Sequence, residues 1–114
     1  MSEHRAQIAW KRSSADFTYE TYNRAHEWRF GEVVVPGSAA KEFRGEPKRV
    51  DPAAAFVASL SSCHMLTFLA VAARRRLTLD SYEDEAVGVL GKNAAGKHVM
   101  RKVTLHPREV LAAG

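Results

Sequence analysis

Residues 51–76 read DPAAAFVASLSSCHMLTFLAVAARRR, and this stretch decides the fold. Asp51 is a good helix N-cap, and Pro52 suits the first helical position because its missing N–H would have had no partner there. At the other end Arg74, Arg75 and Arg76 complement the negative end of the helix dipole. Between these signals Phe56, Leu60, Cys63, Leu66 and Ala70 recur at helical spacing and share one face. Val57, Met65, Phe68 and Leu69 are apolar on other sides, which predicts a central helix covered over most of its surface. From Ala53 to Ala73 no charged residue occurs, a length that would just span a bilayer, where about 20 apolar residues are needed. The polar centre Ser59-Leu60-Ser61-Ser62-Cys63-His64 would be costly against lipid, so the expectation is a long helix buried in protein and no membrane partner.

The flanks supply strands. Ala6, Ile8 and Trp10 alternate with Arg5 and Gln7, as in a half-buried strand over residues 5–10. Residues 11–23 hold scattered aromatics (Phe17, Tyr19, Tyr22) without a period and predict an irregular connection. Ala25 to Phe30 and Glu32 to Val35 flank Gly31 as two strands around a tight turn, with Pro36-Gly37-Ser38 ending the second. The segment up to Val50 is rich in Pro, Gly and charge and predicts a surface loop. Beyond the helix, residues 77–90 (LTLDSYEDEAVGVL) read as one strand with an acidic middle. The segment GKNAAGK is a turn, and Val99, Val103 and Leu105 alternate over residues 98–106 to complete a hairpin. The fold class expected is α+β, with N-terminal antiparallel strands, the long helix, then a β-hairpin.

A chain of 114 residues holds one modest core, so a single domain over residues 1–114 is expected. With 46% hydrophobic and 26% charged residues the composition is that of a folded globular chain. The net charge is +4, but the basic residues are interleaved with 13 acids and form no stripe, which argues against a nucleic-acid partner. One cysteine cannot form an intramolecular disulfide, and MSEHRAQIAW has no apolar run to serve as a secretory signal, so a reducing, cytoplasmic setting is expected. The histidines at 4, 26, 64, 98 and 106 include no H-x-x-x-H pair, and there is no phosphate loop and no G-x-S-x-G turn. No metal and no cofactor are expected.

Cys63 is the one candidate nucleophile. A thiol attacks as thiolate, and Cys63 lies about three turns from the helix N-terminus, beyond the reach of a dipole that acts over the first turn. Any activation must come from another segment, for which arginine is suited because it stays charged in an apolar pocket. His64 diverges from Cys63 by about 100° around the helix and is a poor base for it. On residue physics alone a lone cysteine in an apolar helix reads as an inert core residue.

The stretch DPAAAFVASLSSCHMLTFLAVAARRRLTLDSYEDEAVGVL resembles the central helix and following strand of the OsmC/Ohr family of hydroperoxide reductases. That family opens its helix with D/N-P-x-x, runs through small residues to A/S-C, and continues into an acidic-then-apolar strand. YNRAHEWRF is similar to the YxRxHxWxF pattern of one OsmC-like subgroup, and AQIAW resembles its first strand. The resemblance implies a thiol peroxidase in which Cys63 is the peroxidatic residue and Arg24 the activating cation, with Arg29 in reserve. It further implies an intertwined homodimer, an organic hydroperoxide substrate approaching over Phe56, Leu60 and Leu66, and an external thiol or dithiol as reductant. Two positions depart from the pattern. Ala53 stands where many members carry a glutamate that orients the arginine, and the C-terminal helix with a second, resolving cysteine is missing, so the domain reads as C-terminally short. The alternative is a catalytically degenerate OsmC-like domain that binds a small ligand or assembles with itself.

Overall fold

The computed structural model describes residues 2–113, which form two compact units, one up to Pro52 and one from Ala53. The first unit is an antiparallel three-stranded sheet in the order β1 (Gln7–Ala9), β2 (His26–Phe30), β3 (Val33–Gly37). Phe30 pairs with Val33 across a turn in which Gly31 takes φ 64°, a left-handed conformation that glycine adopts without a Cβ penalty. Strand β3 extends two residues further than expected, because Pro36 and Gly37 continue the pairing with Glu27 and His26. Its end is tied to Val50, whose N–H donates to Pro36 O at 3.0 Å while Ser38 N–H donates to Val50 O at 2.9 Å. The loop between them contains a 3₁₀ turn over Lys41–Phe43 and is anchored by the fully buried Ser38, whose Oγ accepts the Glu46 N–H.

The connection from Trp10 to Arg24 has neither helix nor strand, as its lack of period predicts. It is organised around Asn23 instead. Trp10 Nε1 donates to Asn23 O at 2.7 Å, Asn23 Nδ2 donates to Lys11 O at 3.0 Å, and Asn23 Oδ1 accepts the Ser13 N–H at 2.9 Å. Over this frame Trp10, Phe17, Tyr19 and Tyr22 pack ring against ring.

The second unit opens with α1 (Pro52–Arg74), beginning where the Asp-Pro signal places it. The helix ends in a Schellman motif, with Arg76 N–H on Ala73 O at 3.0 Å and Leu77 N–H on Ala72 O at 2.9 Å. Arg76 takes the left-handed position, φ 59°, that glycine normally fills. Four strands follow, β4 (Leu79–Asp84), β5 (Val87–Lys92), β6 (His98–Thr104) and β7 (Pro107–Leu111). Pairing is antiparallel and nested, β5 with β6 around the Asn93–Gly96 turn and β4 with β7 outside it, which makes one long two-stranded ribbon. The single strand expected over 77–90 is therefore two. Its physical cause lies on the partner strand, where Pro107 has no N–H to give Asp84 and the ladder is interrupted.

The fold class is α+β as expected, but the covering of α1 differs from the expectation of a buried helix. Its covered face is Val57, Ser61, Met65, Phe68 and Ala72, at helical spacing, and among these only Val57 and Ala72 are buried. The ribbon approaches this face closely at Gly88, where a Cβ would collide with Val57 Cγ2 and come within 3.0 Å of Met100 Sδ. A ribbon two strands wide is too narrow to wrap a helix, so the remaining faces are exposed in the single chain. By length and composition α1 could also cross a bilayer. Its polar residues Ser61 and His64 instead bond to ribbon side chains.

Candidate functional site

Cys63 sits at the middle of α1 with its thiol exposed and no hydrogen-bond partner among the described residues. It shares a shallow recess along the helix with Ser59, Ser62, Leu66, Thr67, Ala70, Val71 and Arg74. The floor is apolar and one end is cationic. Leu66 lies in this recess beside Cys63, at 60% exposure, whereas Phe56 and Leu60 are exposed on α1 outside it. In the single chain the Cys63 position is exposed rather than covered. His64 turns away from Cys63, as the helical offset predicts, and its Nδ1 lies 2.9 Å from the Tyr82 hydroxyl.

The opposite face of α1 is clasped by polar groups. Ser61 Oγ donates to Asp84 Oδ2 at 2.5 Å, and the other oxygen of Asp84 accepts the His106 N–H at 2.6 Å. Asp84 thus closes the gap that Pro107 leaves in the ribbon and fastens the ribbon to the helix at one point. The Ser61 hydroxyl foremost holds its carboxyl below the usual carboxylate range; desolvation opposes it next in size, and the His106 amide and the nearby His106 and His64 rings add smaller lowering effects. Tyr82, which packs on Phe68 at 5.7 Å between centroids, is pushed up by desolvation and then by Asp84 and Glu109.

In the first unit Arg24 is held tightly by its own loop. Its Nη1 donates to Tyr22 O at 2.5 Å and its Nη2 to Tyr19 O at 2.6 Å. The guanidinium carbon stands 3.6 Å from the Tyr22 ring centroid and 4.8 Å from that of Tyr19, within cation–π range of both. Two of the five guanidinium N–H donors are engaged in these bonds. Arg29 is placed differently, on an exposed strand position and paired with Glu27 at 2.9 Å.

The family of OsmC-like proteins matches residues 45–112. A solved OsmC-like protein of unknown function from Vibrio cholerae superposes with TM-score 0.93 at 46% identity, over 100% of this chain and 78% of that one. This chain belongs to the OsmC-like family. Comparison with curated proteins finds no match. In this OsmC-like chain the helix-opening Asp51-Pro52 and Cys63 fall inside the matched segment, and the Arg24 loop precedes it.

Several groups around these residues were not evident beforehand. Tyr19 and Tyr22 act on Arg24 through backbone carbonyls, which no sequence pattern marks. Arg74 falls in the Cys63 recess at eleven positions from it, an offset that returns to the same helix face and was available from the 3.6-residue period. His26 and Trp28, two positions apart on β2, lie on one side of that strand, where their rings are hydrogen-bonded. Among the described residues no group of three His, Cys, Asp or Glu side chains is arranged to hold a metal ion.

Proposed function

We propose that this OsmC-like protein is a thiol peroxidase that reduces organic hydroperoxides through Cys63. The observation that carries the reading is the exposed, unbonded Cys63 thiol in an apolar recess of α1, within the family's helix motif. The thiolate attacks the distal oxygen of ROOH. An S–O bond forms, the O–O bond breaks, and the alkoxide leaves and takes up a proton as the alcohol, while Cys63 becomes a sulfenic acid. One external thiol condenses with the sulfenic acid and releases water. A second exchanges with the mixed disulfide and returns the Cys63 thiol, so two thiols are oxidised per peroxide. Arg24 supplies the cation that stabilises the thiolate and the departing oxygen. The apolar floor favours bulky organic peroxides over hydrogen peroxide. A single cysteine cycling in this way belongs in a reducing cytoplasm.

The working form we propose is a homodimer. Phe56, Leu60, Leu66 and Val71 are 40–60% exposed on α1, more apolar surface than an isolated helix face leaves to water in a soluble monomer. A cooperatively folded monomer in sedimentation at micromolar concentration would remove this part of the reading.

The decisive experiment is intact-mass analysis after exposure to cumene hydroperoxide with and without dithiothreitol. Without reductant, additions of one, two and three oxygens appear on the wild type, and Cys63→Ser shows neither mass change nor peroxide consumption. An unchanged wild-type mass in folded protein would instead establish the degenerate, ligand-binding or self-assembling module, which the exposed apolar face of α1 also favours.

A further inference from the structure

Residues 24–28 carry a hydrogen-bonded series that the reaction above does not use. Trp28 Nε1 lies 2.8 Å from His26 Nε2, and an indole N–H only donates, so that ring nitrogen is the acceptor. The other nitrogen, Nδ1, lies 2.7 Å from the carbonyl oxygen of Arg24, which only accepts, so Nδ1 carries the proton. Both partners therefore demand the same neutral tautomer of His26. The backbone of His26 is held as well, with its carbonyl accepting from Arg49 Nη1 at 3.0 Å while Arg49 Nε binds Glu46 at 2.9 Å.

The neighbouring strand makes room for this series. His26 pairs with Gly37, and a Cβ on Gly37 would press into the Trp28 indole nitrogen and come within 3.0 Å of His26 Nε2. Glycine at 37 is what allows Trp28 and His26 to meet. The consequence falls on Arg24. Its side chain is bound from the N-terminal side by the carbonyls of Tyr19 and Tyr22, and its own carbonyl is bound from the C-terminal side by the His26 ring.

We infer that His26 is a positioning residue, which fixes the backbone at Arg24 through a Trp28–His26–Arg24 hydrogen-bond series and so aims the guanidinium that activates Cys63. This rests on the reading of Arg24 as the activating cation, and the two are tested separately. The quantity measured is the rate of Cys63 oxidation by cumene hydroperoxide in a single turnover, followed by quenched intact mass in the full chain. His26→Ala slows it about tenfold, in the range found when an orienting partner is removed. The double variant His26→Ala with Arg24→Ala is no slower than Arg24→Ala alone, because His26 acts only through Arg24. His26→Asn, whose amide reaches the position of Nδ1, keeps more of the rate than His26→Gln, whose amide reaches only that of Nε2. Should His26→Ala not fold, the Asn and Gln variants read the same bond. Additive losses in the double variant, or a wild-type rate in His26→Ala beside a slow Arg24→Ala, overturn the role of His26 and leave Arg24 in place. A wild-type rate in Arg24→Ala removes both.

Discussion

Between Trp10 and His26 no regular structure runs, yet the Arg24 guanidinium is bound at 2.5 and 2.6 Å by two carbonyls and stacked on Tyr22. Cys63 sits in the middle of a 23-residue helix, and its thiol touches no donor among the described residues. Helical hydrogen bonds are all internal, so α1 fixes where Cys63 is without supplying anything to its sulfur. A loop must satisfy its backbone groups through side chains, and the Arg24 loop uses that necessity to grip a cation. Regular structure places the Cys63 thiol without occupying it, and irregular structure holds the Arg24 guanidinium.

The largest effect that would break this contrast concerns the two arginines. Arg24→Ala is expected to lower the rate of Cys63 oxidation by about a hundredfold, as for loss of a donor to a developing anion. Arg29→Ala, whose partner is the exposed Glu27, leaves the rate within error. Equal losses in peroxide-consumption assays would show that the loop's grip on Arg24 is irrelevant to the chemistry. Next comes the seat of the helix. Gly88→Ala drives a methyl into Val57, and chemical denaturation should show about 1–3 kcal/mol of lost stability from overpacking.

A smaller, pH-dependent effect belongs to the clasp. The folded carboxyl of Asp84 titrates below its unfolded value near 3.9, so its contribution to stability is present above that value and is lost as pH falls through the folded one. Ser61→Ala should therefore lower the urea midpoint at pH 7, and the gap to the wild type should close in acid. A gap independent of pH would mean that the hydroxyl acts through packing alone. The smallest change is a gain. Arg76→Gly relieves a left-handed arginine at the helix end and should raise stability by about 1 kcal/mol, read as a higher thermal midpoint.

The helix was legible because its signals are local: Asp51-Pro52 at one end and three arginines at the other. Which face the ribbon covers was not, since Phe56, Leu60 and Leu66 are as apolar as Val57, Met65 and Phe68, and periodicity cannot choose between two apolar stripes. Residues 77–90 were read as one strand because no local turn signal interrupts them. The interruption comes from Pro107, more than twenty residues later, and β7 itself went unread because PREVL shows no alternation. Cys63 and Arg24 were nominated by motif, and what holds Arg24 was hidden because its partners are main-chain oxygens.

The interruption in the ribbon skips two residues on each strand, Glu85 and Ala86 on one side and Leu105 and His106 on the other. Because two is even, Tyr82, Asp84, Ala86 and Gly88 all stay on the less exposed side, and the sites that meet Ser61, His64 and Val57 remain in phase. A single inserted residue at Glu85 would reverse that phase and turn Tyr82 and Asp84 outward while Gly88 stayed in place. Length changes at this point therefore act through their parity: an even insertion keeps the side chains in phase, whereas an odd one needs a compensating bulge of the kind the ribbon already carries at Leu79–Ser81 and Val89–Leu90.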